Sequence, residues 1–138
     1  VEYHGEHYDF GKIQMSPAPS KPIPIYIGGH SKPGLRRAAK YGDGWSSAML
    51  KSKELIELVR QIEVFRKEYG RSHLPMEYQA VVTDVWDADG FKRLEDAGVT
   101  DIITVPWLMY GTPMVGGDLQ GRIDGLNRFA DTVIAKMQ

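Results

Sequence analysis

Residues 24–45 read PIYIGGHSKPGLRRAAKYGDGW, and this stretch decides the fold. Ile25-Tyr26-Ile27 is a short apolar strand closed by Gly28-Gly29. Ser31 stands where a helix N-cap belongs, and Pro33 falls in the first turn, where a missing N–H costs nothing. Leu35, Ala38 and Ala39 supply the buried stripe of this helix, which stops at Gly42. Asp43-Gly44-Trp45-Ser46-Ser47 then reads as a second short strand or strand end. A glycine turn feeding a helix N-terminus offers free backbone N–H groups and the positive end of the macrodipole to an anion. The layout suggests a phosphate site.

Downstream, the same alternation repeats. Ser52 is placed to cap a helix in which Leu55, Leu58, Val59, Ile62 and Phe65 share one face, and Gly70 ends it. Met76 to Trp86 contains a strand, with Ala80-Val81-Val82 buried on both sides as parallel strands are. Asp87 caps a short helix carrying Phe91, Leu94 and Ala97, terminated by Gly98. Asp101 to Val105 is the fourth strand. A glycine-rich loop from Pro106 to Gly117 leads to a last helix whose inner face is Leu119, Ile123, Leu126, Ala130, Val133 and Met137. Upstream, His4-Gly5, Asp9, Gly11 and four prolines from Pro17 to Pro24 break any periodicity, so residues 1–22 read as an extended arm.

Strands alternating with helices imply an α/β fold with a parallel sheet and right-handed crossovers. Residues 23–138 hold four βα units of about 29 residues each, a normal size for such a unit. Eight would come to about 230 residues, near the typical ~250 of a (β/α)8 barrel. The expectation is one domain, residues 1–138, forming half of a (β/α)8 TIM barrel behind an extended arm.

Composition bounds the partners. The chain is 42% hydrophobic and 25% charged, ordinary for a globular protein, and 17 basic against 18 acidic residues give a net charge of −1. No basic field recruits nucleic acid or an anionic membrane. The absence of cysteine excludes disulfides and thiolate metal sites and fits a reducing compartment. No apolar run approaches the roughly 20 residues that span a bilayer, and no signal-like segment opens the chain, so a cytoplasmic protein is expected. The start at Val1 leads to the expectation of a cleaved or trimmed product.

The order of these features closely resembles the carboxyl half of the luciferase-like monooxygenases, and within them the coenzyme F420-dependent oxidoreductases. The matched residues are Gly5-Glu6 in the arm, Pro19 and Pro22, Ile25 to Ser31, Arg36 to Ala39 and Gly42 to Trp45. The later units agree in spacing: the helix from Ser52, Gly70-Arg71, Leu94 with Ala97-Gly98-Val99, and Asp101 to Val105. The resemblance implies a TIM barrel of which these strands are the fifth to eighth. It implies a cofactor, F420 or alternatively FMN, lying across the carboxyl end of the barrel, and hydride transfer between that cofactor and an organic substrate. Carried over by position, Gly28, Gly29, His30 and Ser31 flank cofactor phosphate and ring, while Asp43, Gly44 and Trp45 map to the next strand end, where they bind the cofactor by shaping its ring pocket. The residue that approaches the ring N5 in many members lies on earlier strands. The resemblance therefore implies that these 138 residues alone are inactive, and no catalytic residue is assigned among them.

Each of these sites has a plainer reading. Gly28-Gly29 also suits a tight βα turn, and His30 an exposed loop histidine. Arg36 and Arg37 could reach an acidic cofactor tail, but helix arginines more often form a solvated face. Trp45 packs under the barrel rim or lines the pocket, and the two are compatible. Trp107 and Tyr110, after the fourth strand, form a wall of the substrate pocket or a packing plug. His4 and His7, with Glu2, Glu6 and Asp9 nearby, superficially resemble a metal cluster but lack a helix to align them, so no metal is expected. No nucleophile elbow is present. The alternative function is a non-catalytic phosphate-binding or self-assembling half-barrel, and a third is a phosphosugar barrel enzyme. Four parallel strands leave two open edges and an uncovered inner face, so a homodimer or association with an amino-terminal half is expected.

Overall fold

In a computed structural model describing residues 1–14 and 16–137, four parallel strands form one sheet. They are β3 (Tyr26–Gly28), β4 (Gly44–Ser46), β5 (Glu77–Ala80) and β6 (Asp101–Ile102), in the order β3-β4-β5-β6. Helices α1 (Lys32–Tyr41), α2 (Ser52–Glu68) and α3 (Ala88–Asp96) connect them, and α4 (Leu119–Phe129) follows β6. The architecture is α/β, that of half a (β/α)8 barrel. Met15, inside the expected 1–22 arm, and the terminal Gln138 lie outside the described residues.

The arm is not wholly irregular. Tyr3–His4 (β1) and Asp9–Phe10 (β2) pair antiparallel, with the His4 ring bonded to the Asp9 carboxylate across the pair. Both strands are exposed.

Register fixes two unlike sheet faces. Ile27 pairs with Trp45 and Trp45 with Tyr78, so these three side chains share a face. That face meets the helices: Trp45, Leu35, Ala38, Leu55, Ile62, Tyr78, Ala80, Phe91 and Leu94 are buried in one core. Each fully buried aliphatic side chain there contributes about 1.5–3 kcal/mol. The opposite face carries Gly28, Ser46, Gln79 and Asp101 in one row, with Tyr26, Gly44 and Glu77 in the next. The first row of this inner face is largely polar.

Several expected boundaries move. The third strand stops at Ala80, although Val82 still bridges to Leu50, and the fourth is two residues long where five were expected. Ser52 is the first residue of α2 rather than its cap; Asp84 reaches across from beyond β5, accepting from Ser52 N at 2.7 Å and Oγ at 3.0 Å. The last helix breaks into a π turn (Ala130–Ile134) before Ala135–Met137 (α5). Of its expected inner face only Val133 is buried; Leu119, Ile123, Leu126, Ala130 and Met137 are exposed.

Below the sheet, Arg66 is buried and fully engaged, donating to Glu63 at 2.6 Å, to the Arg71 carbonyl at 3.0 Å and to the Leu74 carbonyl. The Tyr78 hydroxyl donates to the same Glu63 carboxylate. Burial first, and then Glu63, pushes this phenol well above its ordinary value.

Candidate functional site

All four strands run the same way, so the loops after Gly28, Ser46, Ala80 and Ile102 gather at one end of the sheet. Barrel enzymes place their chemistry at this end. The loop at 29–31 leads from β3 into α1 at this end. Gly29 has φ +108°, a conformation L side chains rarely adopt, and a Cβ placed there would meet nothing within 4 Å. The N–H groups of Gly29, His30 and Ser31 make no hydrogen bond among the described residues. Ser31 occupies the N-cap of α1, yet its hydroxyl makes no cap bond, and the first turn holds no acidic residue.

The other helix starts differ. The α2 start is closed by Asp84, the α3 start by Asp87 accepting from Gly90 N at 2.7 Å, and the α4 start by Asp118 accepting from Gly121 N at 2.6 Å. Each spends its positive end on a carboxylate of this chain, whereas the α1 start has no such carboxylate among the described residues and keeps about half a positive charge. Backbone donors of this kind suit the anionic oxygens of a phosphate ester.

Two side chains hold the loop from below. The Trp45 indole, wholly buried, donates to the Gly29 carbonyl at 3.0 Å. The His30 ring stands edge-on to Trp45, centroids 6.0 Å apart, and its Nε2 accepts from the Ala48 N–H at 3.4 Å. Ala48 opens the next loop, where Met49 has φ +56° and is exposed. Gly28, Gly29, His30, Ser31 and Trp45 are thus brought together.

Asp43 and Gly44 are not. Asp43 accepts from Ile25 N at 2.9 Å and Gly44 N donates to the Ile25 carbonyl, both at the amino end of the sheet. Two to three residues of strand separate them from the loop, about 7–10 Å. There they close the start of β3 onto β4, apart from the residues gathered at the loop. Trp107 and Tyr110 also turn elsewhere. They lie in a 3-10 turn (Pro106–Tyr110) packed on α4, where Trp107 backbone abuts Gly125 and Arg122 lies 5.8 Å from the indole. Tyr110 bonds Thr132 at 2.9 Å beneath Arg128. This loop follows β6, three strand spacings, or about 14 Å along the sheet, from β3. Arg36 is likewise absorbed: it stacks on Phe65 at 4.3 Å and donates to Tyr69 at 3.2 Å and Glu68 at 3.0 Å, and the Tyr69 hydroxyl foremost raises its pKa.

Sequence reading missed Ser46 and Gln79. They bond at 3.1 Å on the inner face, one row beneath the loop. Strict alternation through Gly44-Trp45-Ser46 and Tyr78-Gln79-Ala80 was the available signal. Among the described residues no group of three or more His, Asp or Glu gathers to hold a metal, and no helix is long and apolar enough to cross a membrane.

The fold is that of half a (β/α)8 barrel, with the glycine turn before α1 at its carboxyl end. Residues 1–110 match the model of the luciferase-like monooxygenase family, and the chain belongs to that family. Uncharacterized proteins of Mycobacterium tuberculosis and Mycobacterium bovis are 44% identical over 142 residues, covering 99% of this chain and 46% of theirs. The pyrimidine monooxygenase RutA of Allorhizobium ampelinum is 30% identical over 111 residues, covering 76% of this chain and 30% of that protein. Among solved structures, an F420-dependent secondary alcohol dehydrogenase in complex with an F420-acetone adduct superposes with TM-score 0.57 at 15% identity, over 74% of this chain and 48% of that one. The chain spans about half the length of the mycobacterial relatives.

Proposed function

We propose that these residues form the cofactor-phosphate side of a luciferase-like oxidoreductase that uses F420, with FMN as the alternative, to transfer hydride to or from a small organic substrate. The observation that carries this reading is the open α1 start: three successive free N–H groups on Gly29, His30 and Ser31, where the neighbouring helices are closed by carboxylates. Family membership and the F420-bound structural neighbour support the choice of cofactor. When bound, such a cofactor supplies the two-electron chemistry at its ring, and the protein supplies binding, orientation and water exclusion. Gly29 to Ser31 hold the phosphate by backbone donors and the α1 dipole. Ser46 and Gln79 present hydroxyl and amide dipoles from the inner face to polar atoms of the ligand. Equilibrium titration of the full-length protein with F420 and with FMN tests the reading: micromolar binding of one of them, weakened by inorganic phosphate, is expected. Binding of neither would overturn it.

The open flanks favour a covering partner. On the β3 side Ile23 and Ile25 are 67% and 58% exposed, and beside β6 a groove of about 590 Å³ is lined by Phe91, Leu94, Ile102, Phe129, Val133 and Met137. We propose that further βα units, or a second copy of the chain, close these edges. The same surface is what a self-assembling, non-catalytic half-barrel would use. Native mass spectrometry separates the two: a complex retaining cofactor supports the oxidoreductase, and a cofactor-free homodimer supports the assembly module.

A further inference from the structure

Trp45 does more than fill the core, and we propose that it is the positioning residue that sets the polarity of the anion loop. This rests on the reading that Gly29 to Ser31 seat a phosphate. The indole is wholly buried, and its one polar atom donates to the Gly29 carbonyl at 3.0 Å. Among the described residues the only cis peptide bond is Ser16-Pro17, so the Gly29–His30 peptide is trans and planar. In a trans peptide the carbonyl and the following N–H point in opposite directions. Drawing the Gly29 carbonyl down onto the indole therefore turns the His30 N–H away from the core, toward the exposed side where an anion would sit.

The bond matters because glycine alone would not choose. With φ +108° and open space around it, Gly29 resists rotation of this peptide very little. A half-turn of the plane would replace the outward N–H by an outward carbonyl and convert an attractive dipole into a repulsive one. His30 is set by the same side chain, its ring edge-on to the indole and its Nε2 bonded to Ala48 N–H. Trp45 thus orders both the backbone donor and the side chain of the loop without touching the ligand itself.

The plain alternative is an indole that only stabilises the core, and the test is chosen to separate the two. Trp45→Phe in the full-length protein keeps most of the ring and removes the N–H. Affinity is measured for FMN and riboflavin, and for F420 and its phosphate-free chromophore, because each pair differs in the phosphate-bearing tail. The proposal expects about a tenfold or greater loss for the phosphate-bearing member, as befits charge-assisted hydrogen bonds, with the phosphate-free member within about twofold of wild type. Ile62→Val, a core change on α2 remote from the loop, should lower stability and leave both affinities in place. A Trp45→Phe protein with an unchanged ratio within each pair overturns the positioning role while leaving the phosphate reading intact. Wild-type protein that does not distinguish FMN from riboflavin, or F420 from its chromophore, overturns the phosphate reading and the proposal with it. Should Trp45→Phe fail to fold, 3-benzothienylalanine at position 45, isosteric with tryptophan and lacking the N–H, carries the same test.

Discussion

Gly125→Ala asks whether Trp107 is a packing plug or a pocket wall. Gly125 lies within α4, where alanine would ordinarily gain about 1 kcal/mol in helix propensity. Here the new Cβ would lie 2.6 Å from Trp107 Cα and 2.7 Å from its Cβ. Carbon atoms prefer about 3.5–4.0 Å, so the methyl intrudes by roughly 1 Å. The obstructing atom is backbone, in a 3-10 turn begun by the buried Pro106, and cannot swing aside as a side-chain tip would. Overpacking of this kind costs typically 1–3 kcal/mol, enough to exceed the propensity gain. A net loss of up to about 2 kcal/mol follows, or a melting temperature lower by up to about 8 °C for a domain of this size. Thermal and urea denaturation of wild type and variant measure it directly. A variant that melts higher than wild type would refute the reasoning: Trp107 would then not be seated on α4, and its ring would be free to line a pocket.

Asp84→Ala removes both bonds to Ser52 and should destabilise the protein by about 1–2 kcal/mol, with faster amide exchange confined to the first turn of α2. Unchanged exchange there would show that α2 is capped by other means. The buried Tyr78 phenol ionises above its unfolded value near pH 10, so its contribution is complete below pH 10. As pH rises further the unfolded chain loses this proton first, and stability falls by up to about 1.4 kcal/mol per pH unit. Tyr78→Phe should flatten that alkaline slope in denaturation series between pH 9 and 11, and equal slopes would contradict the burial argument. Met49→Gly relieves a left-handed backbone and should stabilise by up to about 1 kcal/mol in the same denaturation assay; a loss of stability would show that the exposed side chain contributes more than its strain costs.

Local chemistry made much of this protein legible in sequence. Gly28-Gly29 after an apolar triplet, Pro33 in a first turn, Asp87 three residues before Gly90, and the Leu55 to Phe65 stripe each act within a few residues, so their consequences follow from neighbours in the chain. The α/β alternation, the glycine turn before α1 and the buried Trp45 came from such signals. Tertiary structure decided what depends on distant partners. Asp84 caps a helix 32 residues away, Arg36 is captured by Phe65 and Tyr69, and Ser46 meets Gln79 only because parallel register aligns them. Asp43-Gly44-Trp45 is the sharpest case: three adjacent residues are divided between the two ends of the sheet, Asp43 and Gly44 closing its amino end while Trp45 reaches the loop above. Sequence places them together because it records adjacency along the chain; a strand separates them because each residue climbs about 3.3 Å and turns to the opposite face.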